Sequence, residues 1–242
     1  MTVRDRLYAV LVIGAVVGVA LLVVVIFQFG RHDPSPPSLR SSPNPSIPGA
    51  IVYFDRDGCI IRADASGAAH QEVYCQETHG PEFVSWVDAN TVAFARFTSP
   101  TPVWVLVDIQ TRKATETGSI ASQKDSFRFP GPNAVSPLGE TVSVDQRDGK
   151  VFRIVDGVRI QIADFDVREY GGPNILTWSP DGQWILLQYY PPRNNDGRSE
   201  LWILSRDGLV RGTLATDARG APASWWIDGI GFLPAVEGLP SK

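Results

Sequence analysis

The feature that most constrains the fold of this chain is a repeat of about 47 residues. Each unit has the end of one strand, a tight polar turn and a second, strongly apolar strand, and in three units two further short strands follow. The stretches that align are "SWVDANTVAFARF" (85–97), "AVSPLGETVSVDQ" (134–146), "TWSPDGQWILLQY" (177–189) and "WWIDGIGFLP" (225–234). The anchor positions of the four units lie 49, 43 and 48 residues apart, at Trp86, Val135, Trp178 and Trp226. We interpret these positions as packing sites of a repeated unit.

Four short strands within 40–50 residues are typical of one blade of a β-propeller. Residues 50–75 contain the later strands of a blade without a first strand, and residues 223–234 contain early strands without later ones. The sequence therefore predicts an all-β fold: a small β-propeller of about four four-stranded blades with split-blade closure, preceded by one transmembrane helix. Because a ring of four blades is small, an incomplete ring or a pairing of two chains remains open.

The repeat resembles that of a known family. The sequence "WSPDGQWILLQ" (178–188), followed by "ELWILSRDG" (200–208), is similar to the TolB-like β-propeller repeat, and the similarity extends over roughly residues 50–234. The repeat also resembles propellers attached to prolyl-oligopeptidase-type hydrolases. The resemblance implies protein binding at one propeller face and favours a bacterial source. Its members usually have six or seven blades, whereas the repeats of this chain predict four.

The N-terminus contains an uncharged apolar run of 23 residues, Leu7–Phe29. As a helix this run would cover the roughly 30 Å of a bilayer's hydrocarbon core. Arg4 and Arg6 precede it, which favours a cytoplasmic N-terminus (residues 1–6) and a domain outside the cytoplasm. The alternative is a cleaved signal peptide, although the run is longer than such peptides need and lacks a small-x-small cleavage site. We expect a single-pass protein of the cell membrane.

A Pro- and Ser-rich stretch at residues 30–49 predicts a semi-extended linker, followed by the propeller domain (50–238) and a short C-terminal tail (239–242). Without the four Arg and two Asp of residues 1–49, the chain has 18 basic and 24 acidic residues, a net charge of −6. This charge argues against nucleic acid and anionic lipid as partners. Gly14 and Gly18 form a small-xxx-small pattern that could support a homodimer, but such residues are common in membrane helices.

The chain has two cysteines, Cys59 and Cys75. They are equidistant from Gly67, which lies in a predicted hairpin turn, so the two residues should face each other across the hairpin. In an oxidising compartment this geometry predicts a disulfide, with free buried thiols as the alternative. Further metal ligands are not clustered near the pair, because His70 and His79 are isolated from any His-Cys motif.

The sequence contains no recognisable catalytic constellation, metal motif or cofactor-binding motif. It has no nucleophile elbow and no phosphate-binding glycine pattern, and His79 is interpreted as a solvated loop residue. The acidic runs "DRDG" (55–58) and "NNDG" (194–197) are better explained as hairpin turns than as calcium loops. We therefore expect no cofactor and no metal, and the search for function moves to surface recognition.

Two long irregular segments, 117–133 and 189–199, contain side chains of the types enriched at protein interfaces. The candidate binding residues are Phe127, Arg128, Tyr189, Tyr190 and Arg193. The alternative is that these aromatic residues pack beneath their own loops. The sequence thus predicts a membrane-tethered extracytoplasmic β-propeller that is a non-enzymatic protein-interaction or ligand-sensing module for an unknown protein or peptide. The alternatives are a propeller-fold hydrolase or lyase with its active site at the channel mouth, and a structural spacer.

Overall fold

Strands dominate the structure, a computed structural model that describes residues 37–75, 83–96, 103–119, 133–167, 172–191, 198–219 and 223–233. All of these residues belong to the unit Pro37–Lys242. Within the described ranges, no helix is long and apolar enough to cross a membrane. The predicted transmembrane segment (7–29), with Gly14 and Gly18, lies outside these ranges, as do the first residues of the predicted linker.

Three antiparallel sheets each contain four strands that follow one another along the chain. The first full sheet consists of β4 (Phe83–Asp88), β5 (Thr91–Arg96), β6 (Val103–Asp108) and β7 (Ala114–Ser119). The second full sheet consists of β8 (Asn133–Val135), β9 (Thr141–Asp145), β10 (Lys150–Val155) and β11 (Val158–Asp164). The third full sheet consists of β12 (Asn174–Trp178), β13 (Trp184–Tyr189), β14 (Ser199–Ser205) and β15 (Arg211–Ala218). These sheets are the three predicted full repeats.

The fourth sheet combines the two ends of the domain, and we call it the split sheet. Its order is β17-β16-β1-β2-β3. The strands are β1 (Ala50–Phe54), β2 (Cys59–Asp64), β3 (His70–Cys75), β16 (Ser224–Ile227) and β17 (Gly231–Phe232). β16 pairs directly with β1, in the register Ala50↔Trp226 and Val52↔Ser224. The C-terminal part therefore supplies the missing first strand of the N-terminal repeat, so the described fold is all-β and consistent with a small propeller.

β17 is an extra strand and does not occupy the second position of the split sheet, which belongs to β1. The ring of Phe232 stacks on Trp226, with ring centroids 6.0 Å apart. The next residue, Leu233, packs against the apolar cluster between the second and third full sheets. Phe232 and Leu233 therefore connect the split sheet with a cluster formed by two other sheets.

The first two strands of the third full sheet are joined by a turn at Ser179–Gly182. The N–H of Gly182 donates to the Ser179 carbonyl (2.8 Å), and the Ser179 Oγ accepts from the Trp184 N–H (2.9 Å). Gly182 has φ +69°, which glycine adopts without strain. Two other turns share this arrangement of a serine carbonyl and a glycine three residues later, at Ser136–Gly139 and Ser205–Gly208. The second and third full sheets therefore share a turn that a serine and a glycine three residues apart define.

The described strands form three inter-sheet interfaces. Clusters of buried apolar side chains lie between the first full sheet and the split sheet, between the split sheet and the third full sheet, and between the third and second full sheets. Trp86 and Trp178 are each 1% exposed; Trp86 faces the split sheet, and Trp178 faces the second full sheet. Their burial agrees with a packing role for these two anchors.

The other two predicted anchors need correction. Trp225, and not Trp226, faces the third full sheet and is 1% exposed, whereas Trp226 faces the first full sheet and is partly exposed. Successive residues of a strand point to opposite faces, so a one-residue shift in the alignment reverses the assignment. Val135 is 68% exposed, so it is not a buried equivalent of Trp86.

Residues 37–49, predicted as linker, pack on the domain. Leu39 and Ile47 are each 3% exposed and belong to the cluster between the split sheet and the third full sheet. The backbone of Leu39 donates to the Thr213 carbonyl (2.9 Å), and Thr213 donates to Pro37 (3.2 Å). The Pro- and Ser-rich composition did not indicate this, because Leu39 and Ile47 are the only large aliphatic residues of the segment. The folded unit begins before residue 50.

The two ends of the sheets differ in their connections. We call the end that carries the short turns between first and second strands, and between third and fourth strands, the turn end. Contacts between the second and third full sheets show that both kinds of turn lie at the same end. Arg206 of the β14–β15 turn binds Glu140 of the β8–β9 turn. Leu138 of that turn lies so close to Gly182 that a Cβ added to the glycine would be 2.9 Å from the Leu138 Cγ. The described turn-end segments are 65–69, 89–90, 109–113, 136–140, 156–157, 179–183, 206–210 and 228–230.

Candidate functional site

A polar cleft of about 620 Å³ lies between the split sheet and the first full sheet, at the turn end. Its polar side chains come from β2, β3, two turns of the first full sheet and the β16–β17 turn. They are Arg62, Asp64, Gln71, Asn90, Gln110 and Asp228. Trp86, Ile109 and Trp226 supply the apolar part of the lining, together with the backbone at Gly49–Ala50. The lining is thus more polar than that of most small-molecule pockets, which are predominantly apolar with a few polar groups that fix the orientation of the ligand.

Two turns position the amide side chains of the cleft. The Asp88 Oδ1 accepts the backbone N–H of Asn90 (2.8 Å), and the Asp108 Oδ1 accepts the backbone N–H of Gln110 (3.1 Å). Such side-chain acceptors hold a short turn in one conformation. The Gln110 Nε2 then donates to the Asn90 Oδ1 (3.1 Å), which ties the two turns together. The amides are therefore presented by rigid turns.

The charged residues of the cleft retain hydrogen-bonding capacity. An Arg62 nitrogen lies 3.2 Å from the Asp64 Oδ1, and the Trp226 Nε1 donates to the Asp228 Oδ1 (2.9 Å). Each contact uses only part of what a guanidinium or a carboxylate offers. With one cation and two carboxylates, the described lining residues have a net charge of −1. The cleft therefore suits a polar partner that both donates and accepts hydrogen bonds and is neutral or cationic.

Gly49 allows the backbone to pass close to β16, where it forms part of the cleft wall. Its φ is +88°, and a Cβ there would lie 2.1 Å from the Trp226 carbonyl oxygen. No side chain fits at that distance, so a glycine is required where the N-terminal segment passes the C-terminal strand. The part of the cleft wall formed by Gly49, Ala50 and Trp226 thus depends on the pairing of β16 with β1.

The structure places Tyr189, a predicted binding residue, in the core. Its ring is 6% exposed and packs against Phe165 and Trp202, with the centroid of Phe165 5.0 Å away. Its hydroxyl donates to the Asp166 carbonyl (2.6 Å), and burial raises its pKa to about 12. Tyr189 is therefore a packing residue, as the alternative interpretation of these aromatic residues held.

The remaining predicted binding residues do not form a described surface. Tyr190 is half-buried, its hydroxyl accepts a hydrogen bond from Gln188 Nε2 (3.1 Å), and burial raises its pKa. Phe127, Arg128 and Arg193 lie outside the described residues. His79 also lies outside them. The predicted binding surface therefore stays a prediction for these positions.

Cys59 and Cys75 are paired residues of β2 and β3 and form a disulfide. Glu72 lies close to both sulfur atoms, which makes these three residues a geometrically possible ligand set. Metal binding by cysteine requires thiolates, and sulfur atoms joined in a disulfide do not supply them. The pair therefore cross-links the outer hairpin of the split sheet.

A second cluster of polar groups surrounds His70, the first residue of β3. The His70 Nδ1 lies 3.4 Å from the Tyr53 hydroxyl, and within the described part of the chain the buried Nε2 has no hydrogen-bond partner. Burial, and then the charge of Arg40, lower the pKa of His70. Burial, and then the charge of Asp217, raise the pKa of Tyr53 well above its usual range. Both shifts favour the neutral form of the side chain.

Sequence analysis did not identify the polar cleft. Its residues are single polar side chains in separate turns and strands, so no motif or spacing connects them. The sequence contained only an indirect indication of the cleft. If the split sheet closes as predicted and packs beside the first full sheet, the turns that follow β4 and β6 should lie beside the ends of β2 and β16. Trp226 was interpreted as a packing residue because it aligns with Trp86 and Trp178 in the repeat.

No protein-family model and no curated protein matches the sequence. Among solved structures, TolB from Acinetobacter baumannii has 14% identity and a TM-score of 0.27, covering 72% of this chain and 43% of that one. The putative TolB from Agrobacterium tumefaciens has 18% identity and a TM-score of 0.28, covering 73% and 66%. A nidogen/laminin complex has 14% identity and a TM-score of 0.31, covering 74% and 70%. The chain spans less than half the length of the Acinetobacter protein.

Proposed function

We propose that this protein is a membrane-tethered, extracytoplasmic binding module that holds a polar segment of a partner protein in the cleft between the split sheet and the first full sheet. The observation that carries the proposal is the convergence of six polar side chains on a cleft of about 620 Å³. Asn and Gln amides both donate and accept, as the backbone of an extended peptide does. The cleft therefore offers the hydrogen bonds that a peptide segment loses on leaving water.

The lining of the cleft favours binding over catalysis. The described lining residues include no serine, threonine, cysteine, histidine or lysine, and the titratable groups among them are Arg62, Asp64 and Asp228. A hydroxyl or thiol nucleophile beside a base, which acyl transfer by a serine- or cysteine-type enzyme requires, is therefore not among the described lining residues. A hydrolase of the serine or cysteine type would thus have to use groups other than the described lining residues.

Site-specific photo-crosslinking of the full chain in its native membrane tests the binding site. A photoreactive residue in place of the exposed Gln71 should yield a discrete product with one partner protein. The double variant Asn90→Ala/Gln110→Ala should lower that yield about tenfold at limiting partner, because it removes two or more hydrogen bonds. The matched control is Gln183→Ala, an exposed amide in a turn of the third full sheet. Equal yields from the double variant and the control would contradict the proposal.

The membrane anchor is tested separately, by intact-mass measurement of the protein isolated from membranes. An uncleaved anchor predicts a chain that retains residues 7–29, resists alkaline extraction and exposes its domain to protease from outside. A mature chain that begins after residue 29 would support the signal-peptide alternative. Neither result depends on the cleft, so the two parts of the proposal can fail independently.

A further inference from the structure

Exposed apolar side chains are concentrated at the turn end. All the exposed large hydrophobic residues in the described part of the chain lie in a turn-end segment or within three residues of one. They are Val135, Leu138, Val158, Ile160, Leu209, Val210 and Ile230. Leu209 is 83% exposed, and Ile230 is 58% exposed. Single exposed apolar residues are ordinary, but a set confined to one end of a fold marks an interaction surface.

The members of this set come from neighbouring sheets whose turns touch. Leu138 lies against Gly182, and a Cβ on Gly208 would lie 2.2 Å from the Ile162 carbonyl oxygen. The turn that carries Leu209 is therefore packed on β11, the strand that contains Val158 and Ile160. These residues form one surface across the second and third full sheets, and Ile230 extends the set to the split sheet.

The turns that carry Leu209, Val210 and Ile230 are held by backbone and polar hydrogen bonds, and not by contacts of these three side chains. The Leu209 N–H donates to the Asp207 Oδ1 (3.0 Å), and the Ser205 Oγ accepts the Val210 N–H (2.9 Å). The Ile230 N–H donates to the Ile227 carbonyl (3.1 Å). Polar groups and the backbone thus define the turns, while the apolar side chains contact water. Their exposure has no evident role in the stability of the domain.

The chain itself indicates what covers this surface. The N-terminal segment joins the domain at the turn end, where Pro37 and Leu39 bond to Thr213, four residues after Leu209. The predicted membrane span ends at Phe29, so seven residues separate it from Pro37. Seven residues reach at most about 25 Å. A span at 7–29 therefore keeps the turn end close to the bilayer and gives it a high effective concentration there.

We propose that the turn end docks on the outer surface of the lipid bilayer through these apolar residues, with Leu209 and Ile230 inserted among the lipid headgroups. The proposal rests on the membrane anchor of the proposed function. The contact is apolar, because the domain carries a net charge of −6 and gains no attraction from anionic lipid. Docking would also place the opening of the polar cleft, which lies at the same end, near the headgroup layer.

Fluorescence quenching in nanodiscs tests the docking. The full chain is incorporated at one copy per disc of phosphatidylcholine, with an environment-sensitive fluorophore on the single new thiol of Leu209→Cys or Ile230→Cys. Cys59 and Cys75 remain oxidised. Lipid carrying a nitroxide near the headgroup should quench either label at least twofold more than a label at Asp148→Cys. Asp148 is an exposed control position in the β9–β10 turn, at the opposite end of its sheet.

Three outcomes contradict the proposal. Equal quenching at Leu209, Ile230 and Asp148 would show that the turn end does not reach lipid. Labels that become shielded from water-soluble quenchers without being quenched by lipid would show that protein covers the surface. Failure of the full chain to enter discs would overturn the anchor and the docking together, whereas normal incorporation with unquenched labels overturns the docking alone.

Discussion

The indole N–H of Trp86 donates a hydrogen bond to the backbone carbonyl of Ser224, 138 residues further along the chain (3.2 Å). The bond links β4 of the first full sheet to β16, the strand that the C-terminal part contributes to the split sheet. Trp178 makes the corresponding contact in another pair of sheets, where its Nε1 lies 3.4 Å from the Ala134 carbonyl. The repeated tryptophan therefore joins neighbouring sheets as well as filling the space between them.

The two adjacent tryptophans of β16 should differ in their contribution to stability. Trp225 is 1% exposed and donates to the Pro48 carbonyl (2.9 Å). We expect Trp225→Ala to lower the free energy of unfolding by about 3–5 kcal/mol, and Trp226→Ala, whose side chain is partly exposed, to lower it by about 1–2 kcal/mol. Chemical denaturation measures both values. Equal losses would mean that the two residues do not have the distinct environments described above.

The segment before β1 should be required for full stability. Leu39 packs between Gly67 and Gly212. A Cβ added to Gly67 would lie 2.4 Å from the Leu39 carbonyl oxygen, and a Cβ added to Gly212 would lie 2.7 Å from the Leu39 Cγ. Leu39→Ala should lower the free energy of unfolding by about 2–4 kcal/mol. Ser42→Ala, at an exposed position of the same segment, is the matched control and should change it by less than about 0.5 kcal/mol. A thermal-denaturation series in which both variants behave alike would argue against packing of this segment.

The sheets were predictable because their signals are local. The sequence Ser179–Gly182 encodes its turn with four consecutive residues, and the apolar strands on either side repeat at a similar spacing along the chain. The identity of the buried tryptophan in β16 was not predictable in the same way. Two consecutive tryptophans satisfy the alignment equally well, and only the packing of one face against the third full sheet distinguishes Trp225 from Trp226.

The packed N-terminal segment and the polar cleft depend on contacts between distant parts of the sequence. Leu39 is one apolar residue within a Pro- and Ser-rich stretch and has no periodicity, so composition predicted a linker. Gln71, Asn90 and Gln110 meet only because the split sheet packs beside the first full sheet. Individual polar residues in turns are too common to indicate a site before that arrangement is known.

Stability in acid should depend on Glu140, which joins the second and third full sheets. The Arg206 Nε donates to its carboxylate (2.6 Å), and this hydrogen bond lowers the pKa of Glu140. The stabilisation is therefore complete above the unfolded-state pKa of about 4.3 and is lost as the pH falls through the lower folded-state value. Glu140→Gln should lower the free energy of unfolding by about 1–3 kcal/mol at pH 7.

The matched control for Glu140 is Glu116→Gln. Glu116 pairs with Arg96, but its side chain is 59% exposed, so we expect a loss below about 1 kcal/mol. Denaturant titrations between pH 7 and pH 3 should show the difference between wild type and Glu140→Gln shrinking in acid. A difference that stays constant over this range would mean that the ion pair is not its source.

His70 should make the protein less stable as the pH falls below 6.5. Burial and the charge of Arg40 lower its folded-state pKa, while Asp217 and Asp64 oppose this shift more weakly. Between that lowered value and the unfolded-state value of about 6.5, the unfolded chain binds the proton and the folded chain does not. Stability therefore decreases with falling pH across this window and levels off below it. His70→Phe should remove this component, so a variant whose pH profile parallels the wild type from 8 to 5 would contradict the assignment.

The disulfide should contribute to stability by restricting the unfolded chain. Cys59 and Cys75 are 16 residues apart, and closing a loop of that length is worth about 3 kcal/mol in the chain-entropy description. We expect Cys59→Ser/Cys75→Ser to lower the free energy of unfolding by about 2–4 kcal/mol, and a reductant to produce a similar loss in the wild type while leaving the double variant unchanged. Mass measurement after alkylation without reductant checks the bond itself. Folded protein with two alkylated cysteines would show that the bond is absent, and a reductant effect on the double variant would show that the loss has another cause.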